Sequence, residues 1–214
     1  MRRMSYRRMF LVLAVAYIAS FTTGARAADE PVIPPDEFVY CTVCHGVQMK
    51  GNPNIQAPRL SGMDKTYIER QLRAFKTGWR GTHENDLVGM EMRPMAAILS
   101  DAQITAAARY VNAVSSEPPP LTIDGDAGRG ETHYASCAAC HGAGGEGVPA
   151  VGGPPLTGLN DWYLARQLSN FKDGTRGSSP GDAYGAQMRA ATATLMDDVA
   201  IRDVVTYINS LQSR

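Results

Sequence analysis

The sequence predicts an all-α chain of two tandem domains, each a few helices folded around one copy of the same cysteine motif. Three observations predict it. The chain is written twice at an offset of 96 residues, the distance from Cys41 to Cys137. Apolar residues in its longer segments recur at helical spacing, and no stretch alternates as a half-buried strand would. All four cysteines fall in two Cys-x-x-Cys-His runs, "CTVCH" from Cys41 and "CAACH" from Cys137.

The N-terminus stands apart from the repeat. A basic "MRRMSYRRM" precedes the twelve-residue apolar run "FLVLAVAYIASF", and "ARA" precedes Ala28. This is the pattern of a secretory signal peptide cleaved after Ala27, and the run is short of the roughly 20 apolar residues a membrane span needs. Residues 1–27 hold five arginines and no acid, so residues 28–214 carry 16 basic and 21 acidic side chains, a formal net charge of −5. An acidic exported chain disfavours nucleic acid as a partner.

In the first repeat, "DEFVYC" predicts a short helix leading into the cysteine motif, and the second repeat has a longer counterpart in "AGRGETHYASC". Next, Ile68, Leu72 and Phe75 predict a helix from Tyr67 to Gly78, matched by "YLARQLSNFKDG" from Tyr163. "SDAQITAAARYVNAV" predicts a helix capped by Ser100 or Asp101, matched by "MDDVAIRDVVTYINSL" after one inserted residue, which pairs Tyr110 with Tyr207. The proline run of "SSEPPPLTIDGD" separates the copies. The resulting boundaries are 1–27 for the signal peptide, 28–115 and 120–214 for the two domains, and 116–119 for the linker. Pro34 stands opposite Gly130 and Phe38 opposite Tyr134, so packing on Tyr110 is expected to differ from packing on Tyr207.

Three chemistries use Cys-x-x-Cys. A thioredoxin-like disulfide needs a βαβ setting, and a zinc site needs further Cys or His ligands that do not recur at the 96-residue offset. Cys-x-x-Cys-His is the c-type haem attachment pattern. The thiols of Cys41 and Cys44, and of Cys137 and Cys140, would add across haem vinyl groups, and His45 and His141 would bind iron. Two covalently bound haem c groups would then serve as the cores of two small, loop-rich domains.

The repeat selects the opposite ligand. Of the methionines beyond residue 27, only Met92 and Met188 recur at the offset. Both follow the long helix through a polar loop, giving His45/Met92 and His141/Met188; Met95 is the rival in the first copy. His83, His133, Trp79 and Trp162 do not recur and are read as packing or surface residues. Arg80 and Arg176 recur with Lys76 and Lys172; they are candidates to pair with haem propionates, with solvated loop charges as the default.

These residues carry a family resemblance. "CTVCHG…APRLSG…YIERQLRAFKTG…MRPMAAILSD" and "CAACHG…GPPLTG…YLARQLSNFKDG…MRAATATLMD" each resemble a class I cytochrome c domain, and the tandem resembles the dihaem cytochrome c4 family. The resemblance implies two low-spin haem domains in a periplasmic electron carrier, with the carbonyls of Pro58 and Pro154 accepting the Nδ1–H of each ligand histidine. It further implies redox proteins as partners: a donor, and a membrane terminal oxidase as acceptor, with peripheral membrane association compatible. The alternatives are the electron-accepting subunit of a periplasmic dehydrogenase and, third, a dihaem peroxidase. Two saturated irons argue against an enzyme. The first domain, with Lys50, Arg59, Lys65, Arg70 and Arg73, is expected to dock an acidic partner.

Overall fold

A computed structural model describes residues 33–211; the signal peptide and its cleavage after Ala27 lie outside the described residues. Nine α-helices run through the described chain: α1 Val39–His45, α2 Lys65–Thr77, α3 Leu87–Ala97, α4 Asp101–Ala113, α5 Ala127–Tyr134, α6 Ala138–His141, α7 Asp161–Lys172, α8 Ala183–Thr192 and α9 Asp198–Leu211. Among the described residues the only strand-like pairings are isolated bridges, Asn52 with Ala57 and Val148 with Gly153. The bridges themselves obey the 96-residue offset. The two repeats pack into one compact body.

Local chemistry sets the helix ends. The Asp64 carboxylate accepts from the Tyr67 amide at 2.7 Å to start α2, and Gly78 ends it in the left-handed region at φ +77°. Ser100 and Gln103 form a capping box on α4. Helices α3 and α8, which carry Met92 and Met188, differ from the loops expected there. Asp86 and Asp182 cap them by accepting from Gly89 and Gly185. Pro94 sits inside α3; glycine and proline within eleven residues read as breakers, and the caps with tertiary packing override them.

The copies differ where Pro34 replaces Gly130. In the second repeat α5 lies against α9 so closely that a Cβ on Gly130 would sit 2.0 Å from the Asp203 carbonyl oxygen, and the Tyr134 and Tyr207 rings meet at 5.3 Å. The first repeat has only a 3₁₀ turn, Asp36–Phe38, running into α1. There buried Phe38 stacks on Tyr110, with centroids 6.1 Å apart and planes 15° from parallel.

Two buried carboxylates pin the segment entering the second repeat. Asp161 accepts from the Thr122 amide, the Thr122 hydroxyl at 2.9 Å, and the Ile123 and Trp162 amides at 2.7 Å each. Asp203 accepts from Arg129 Nε at 2.6 Å and from the Asp126 amide at 2.7 Å. Burial pushes Asp161 up, but its bonds from Thr122, Ile123 and Trp162 outweigh that and hold it below the usual carboxylate range; Arg129 and the Asp126 amide do the same for Asp203. A depressed carboxylate contributes stability that is present above its unfolded pKa of about 3.9 and is lost as pH falls through its folded value. The urea midpoint of the second repeat is therefore expected to drop as pH falls below about 4, and Asp161→Asn should flatten that dependence. An unchanged profile in the variant would remove Asp161 from the account.

Candidate functional site

A cleft opens beside each motif histidine, facing the methionine helix of the same repeat. Gly46 and Gly142 end the helical turns that bring His45 and His141 inward, and both rings are 5% exposed. The chain then doubles back. Gly51 donates to the His45 carbonyl at 2.9 Å and Gly147 to that of His141 at 2.7 Å. A Cβ on Gly51 would lie 2.5 Å from the Arg59 nitrogen, and one on Gly147 2.6 Å from that of Pro155, so only glycine, at φ +83° in both places, permits the approach. That approach sets Pro58 and Pro154 beside the rings. His45 Nδ1 lies 2.7 Å from the Pro58 carbonyl oxygen and His141 Nδ1 lies 2.8 Å from that of Pro154.

Burial pushes both imidazoles down, toward the neutral ring, against the opposing pull of the proline carbonyls. With Nδ1 donating to a carbonyl, Nε2 is the free lone pair of the ring. His141 Nε2 is buried with no hydrogen-bond partner. The second cleft is lined by His141, Cys137, Cys140, Pro154 and Met188; the first by His45, Pro58 and Met92. Met92, not Met95, lines the first cleft, and Met95 is 40% exposed. In the second cleft a neutral imidazole, a thioether and two thiols converge on apolar walls, the donor set of a c-type haem; the first cleft brings together the imidazole and the thioether, and Cys41 and Cys44 do not line it. His83 and His133 line neither cleft.

Arg80 and Arg176 are not solvated loop charges. They are 9% and 5% exposed and cross between the repeats. Arg80 donates to Gln71 Oε1 at 3.0 Å in its own repeat, and to Gln167 Oε1 at 3.0 Å and the Tyr163 hydroxyl at 3.2 Å in the other. Arg176 mirrors it, donating to Gln167 at 2.6 Å, Gln71 at 2.6 Å and the Tyr67 hydroxyl at 3.3 Å. Among the described residues neither guanidinium has a carboxylate partner, and the buried Nε atoms of both have no hydrogen-bond partner. Burial alone would push the Tyr67 phenol up; Arg176 and Arg80 outweigh it and hold it at about 8. The junction is thus electropositive and has donors to spare for anionic groups. Lys76 and Lys172 serve elsewhere, donating to the carbonyls of Leu99 and Met196.

A second mirrored pair lies beside it. Arg70 donates to the Gly152 carbonyl at 2.7 Å, and Arg166 to that of Gln56 at 3.0 Å. Arg59 donates to the Gly158 and Ser116 carbonyls at 2.9 and 2.7 Å. Arg59 and Arg70 therefore bind the repeats together and Arg73 pairs with Asp101 at 2.6 Å, which leaves Lys50 and Lys65 of the cations expected to meet an acidic partner. Gln71, Gln167, Tyr67 and Tyr163 were not legible as site residues, although a glutamine recurring on the apolar side of a helix was the available signal.

The Cytochrome c family model matches residues 38–115 and 127–212. The chain is 35% identical over 180 residues to the thiosulfate dehydrogenase electron acceptor of Thiomonas intermedia (strain K12), covering 79% of this chain and 78% of that protein. It is 32% identical over 181 residues to the cytochrome c4 of Thiocapsa roseopersicina, covering 80% and 86%. The solved structure of Acidithiobacillus ferrooxidans cytochrome c4 superposes with a TM-score of 0.61 at 30% identity, over 79% of this chain and 98% of that one.

Proposed function

Since the chain belongs to the cytochrome c family, as a tandem dihaem member of the cytochrome c4 type, we propose that it is an exported electron carrier that accepts electrons from a periplasmic dehydrogenase oxidising a sulfur compound and delivers them to a membrane terminal oxidase. Electron transfer without catalysis follows from the family; the donor and acceptor are our reading. The observation that carries the donor is the similarity to a thiosulfate dehydrogenase electron acceptor. Periplasmic residence rests on the N-terminal sequence; among the described residues no helix is long and apolar enough to cross a membrane.

Bound haem supplies a one-electron ferric/ferrous couple. The chain does the rest. Cys41 with Cys44, and Cys137 with Cys140, fit the two covalent attachments. His45 with Met92, and His141 with Met188, would hold the iron, and thioether with imidazole ligation would favour a high potential. Pro58 and Pro154 orient the rings and strengthen them as donors. Arg80 and Arg176, without carboxylate partners among the described residues, would neutralise propionate carboxylates at the junction between the two sites.

Stopped-flow mixing with a thiosulfate dehydrogenase and thiosulfate tests the donor. Haem reduction should be complete and should need both enzyme and substrate, and a membrane oxidase should then reoxidise the carrier. Fast exchange with the oxidase, but none with the dehydrogenase, would leave a respiratory carrier with a different donor.

A further inference from the structure

The peptide group joining Pro58 to Arg59 is bonded on both sides. Its carbonyl oxygen accepts from His45 Nδ1 at 2.7 Å, and its N–H donates to Asn160 Oδ1 at 2.6 Å. The acceptor belongs to the other repeat. A continuous chain therefore runs from Asn160 through one peptide to the imidazole of the first site. The second site has no counterpart. Pro154 accepts from His141 in the same way, but the next residue is Pro155, which has no N–H to give.

Asn160 is placed for this role at the expense of another. Its equivalent at the 96-residue offset is Asp64, whose side chain caps α2 through the Tyr67 amide. Asn160 occupies the same position before α7, makes no side-chain cap bond, and is 6% exposed. Its oxygen is turned to Arg59 instead. The Arg59 guanidinium fixes the geometry, with Nη1 on the Ser61 and Gly158 carbonyls at 2.8 and 2.9 Å and Nη2 on the Ser116 carbonyl at 2.7 Å.

We propose that Asn160 of the second repeat tunes the haem of the first, by polarising the Pro58–Arg59 peptide so that its carbonyl pulls harder on the Nδ1 proton of His45. Hydrogen bonds in series strengthen one another by about 10–30% per bond. A stronger pull at Nδ1 makes Nε2 a better donor, which stabilises ferric over ferrous iron and lowers the potential of the first haem alone. The inference rests on reading His45 as the axial ligand.

The test is a spectroelectrochemical titration of the full-length holoprotein, with ring ¹⁵N signals of His45 and His141 assigning each midpoint to its repeat. Asn160→Ala should raise the first midpoint by about threefold in the reduction equilibrium, about 28 mV at 59 mV per tenfold for one electron, and leave the second in place. Asn160→Asp, which keeps an acceptor oxygen, should lower the first midpoint more than the second. Asn160→Ala introduces no charge, so its shift reads the hydrogen bond rather than a charge effect. Equal shifts in both haems, a shift in the second alone, or no shift would overturn the proposal. If His45 is not the ligand, its ring nitrogens will lack paramagnetic shifts in the oxidised protein, a result separate from an unmoved midpoint.

Discussion

Serine at both Cys41 and Cys44 is expected to yield a chain with one haem and a first repeat that no longer folds. The walls of the first cleft include Leu60, Met63, Ile68, Leu72, Phe75 and Met92. Without haem these apolar walls have nothing to pack against, and a domain this small, with a total stability of about 5–15 kcal/mol, has little else to hold it together. The walls must collapse or come apart, and α2, which packs on both α3 and α4, would lose its register. The pyridine haemochrome spectrum should report one haem per chain, and proteolysis should cut within 39–113 while sparing 127–211. First-repeat amides as well protected as in the parent would contradict this.

Alanine at Met92 or at Met188 should have the second largest effect. Each thioether lines the cleft of one repeat together with that repeat's histidine. Removing it opens one iron, abolishes half of the charge-transfer band that marks an iron–thioether bond, and lowers the affected potential by on the order of 100 mV, within the roughly 0.8 V range that axial ligation spans. Met95→Ala should leave band and potential unchanged; if it removes the band and Met92→Ala does not, the first ligand is misassigned.

Repetition made much of this protein legible before its structure. Two copies of Cys-x-x-Cys-His in register mark the proposed attachment points, and the offset leaves Met92 and Met188 as the recurring methionines. Helices α2, α4, α7 and α9 were readable because their apolar residues keep one face. Helices α3 and α8 were not, because Asp caps and tertiary packing overcome Gly89, Pro94 and Gly185, and neither force has a sequence period. The junction was the least readable part. Arg80 and Arg176 look like loop charges until the other repeat closes over them, and the role of Asn160 depends on a bond between residues 101 positions apart.

The crossed arginines give the junction a reciprocity found in two-fold homodimers, where residue i of one subunit meets j of the other and j meets i. Arg80 reaches Gln167 while Arg176 reaches Gln71, and Arg70 reaches residue 152 while Arg166 reaches residue 56. One covalent chain thus has an isologous contact folded inside it. Fusion also changes what mutation can do. In a homodimer every substitution appears twice, so no site can favour one subunit; here each copy drifts on its own. Where side chains cross the pseudo-axis, as at Tyr67, Gln71 and Arg80, drift in one copy is penalised through the other. Away from it, a single-copy change can stand, and the pairs Pro34/Gly130 and Phe38/Tyr134 show two copies of one ancestral unit diverging into unequal halves.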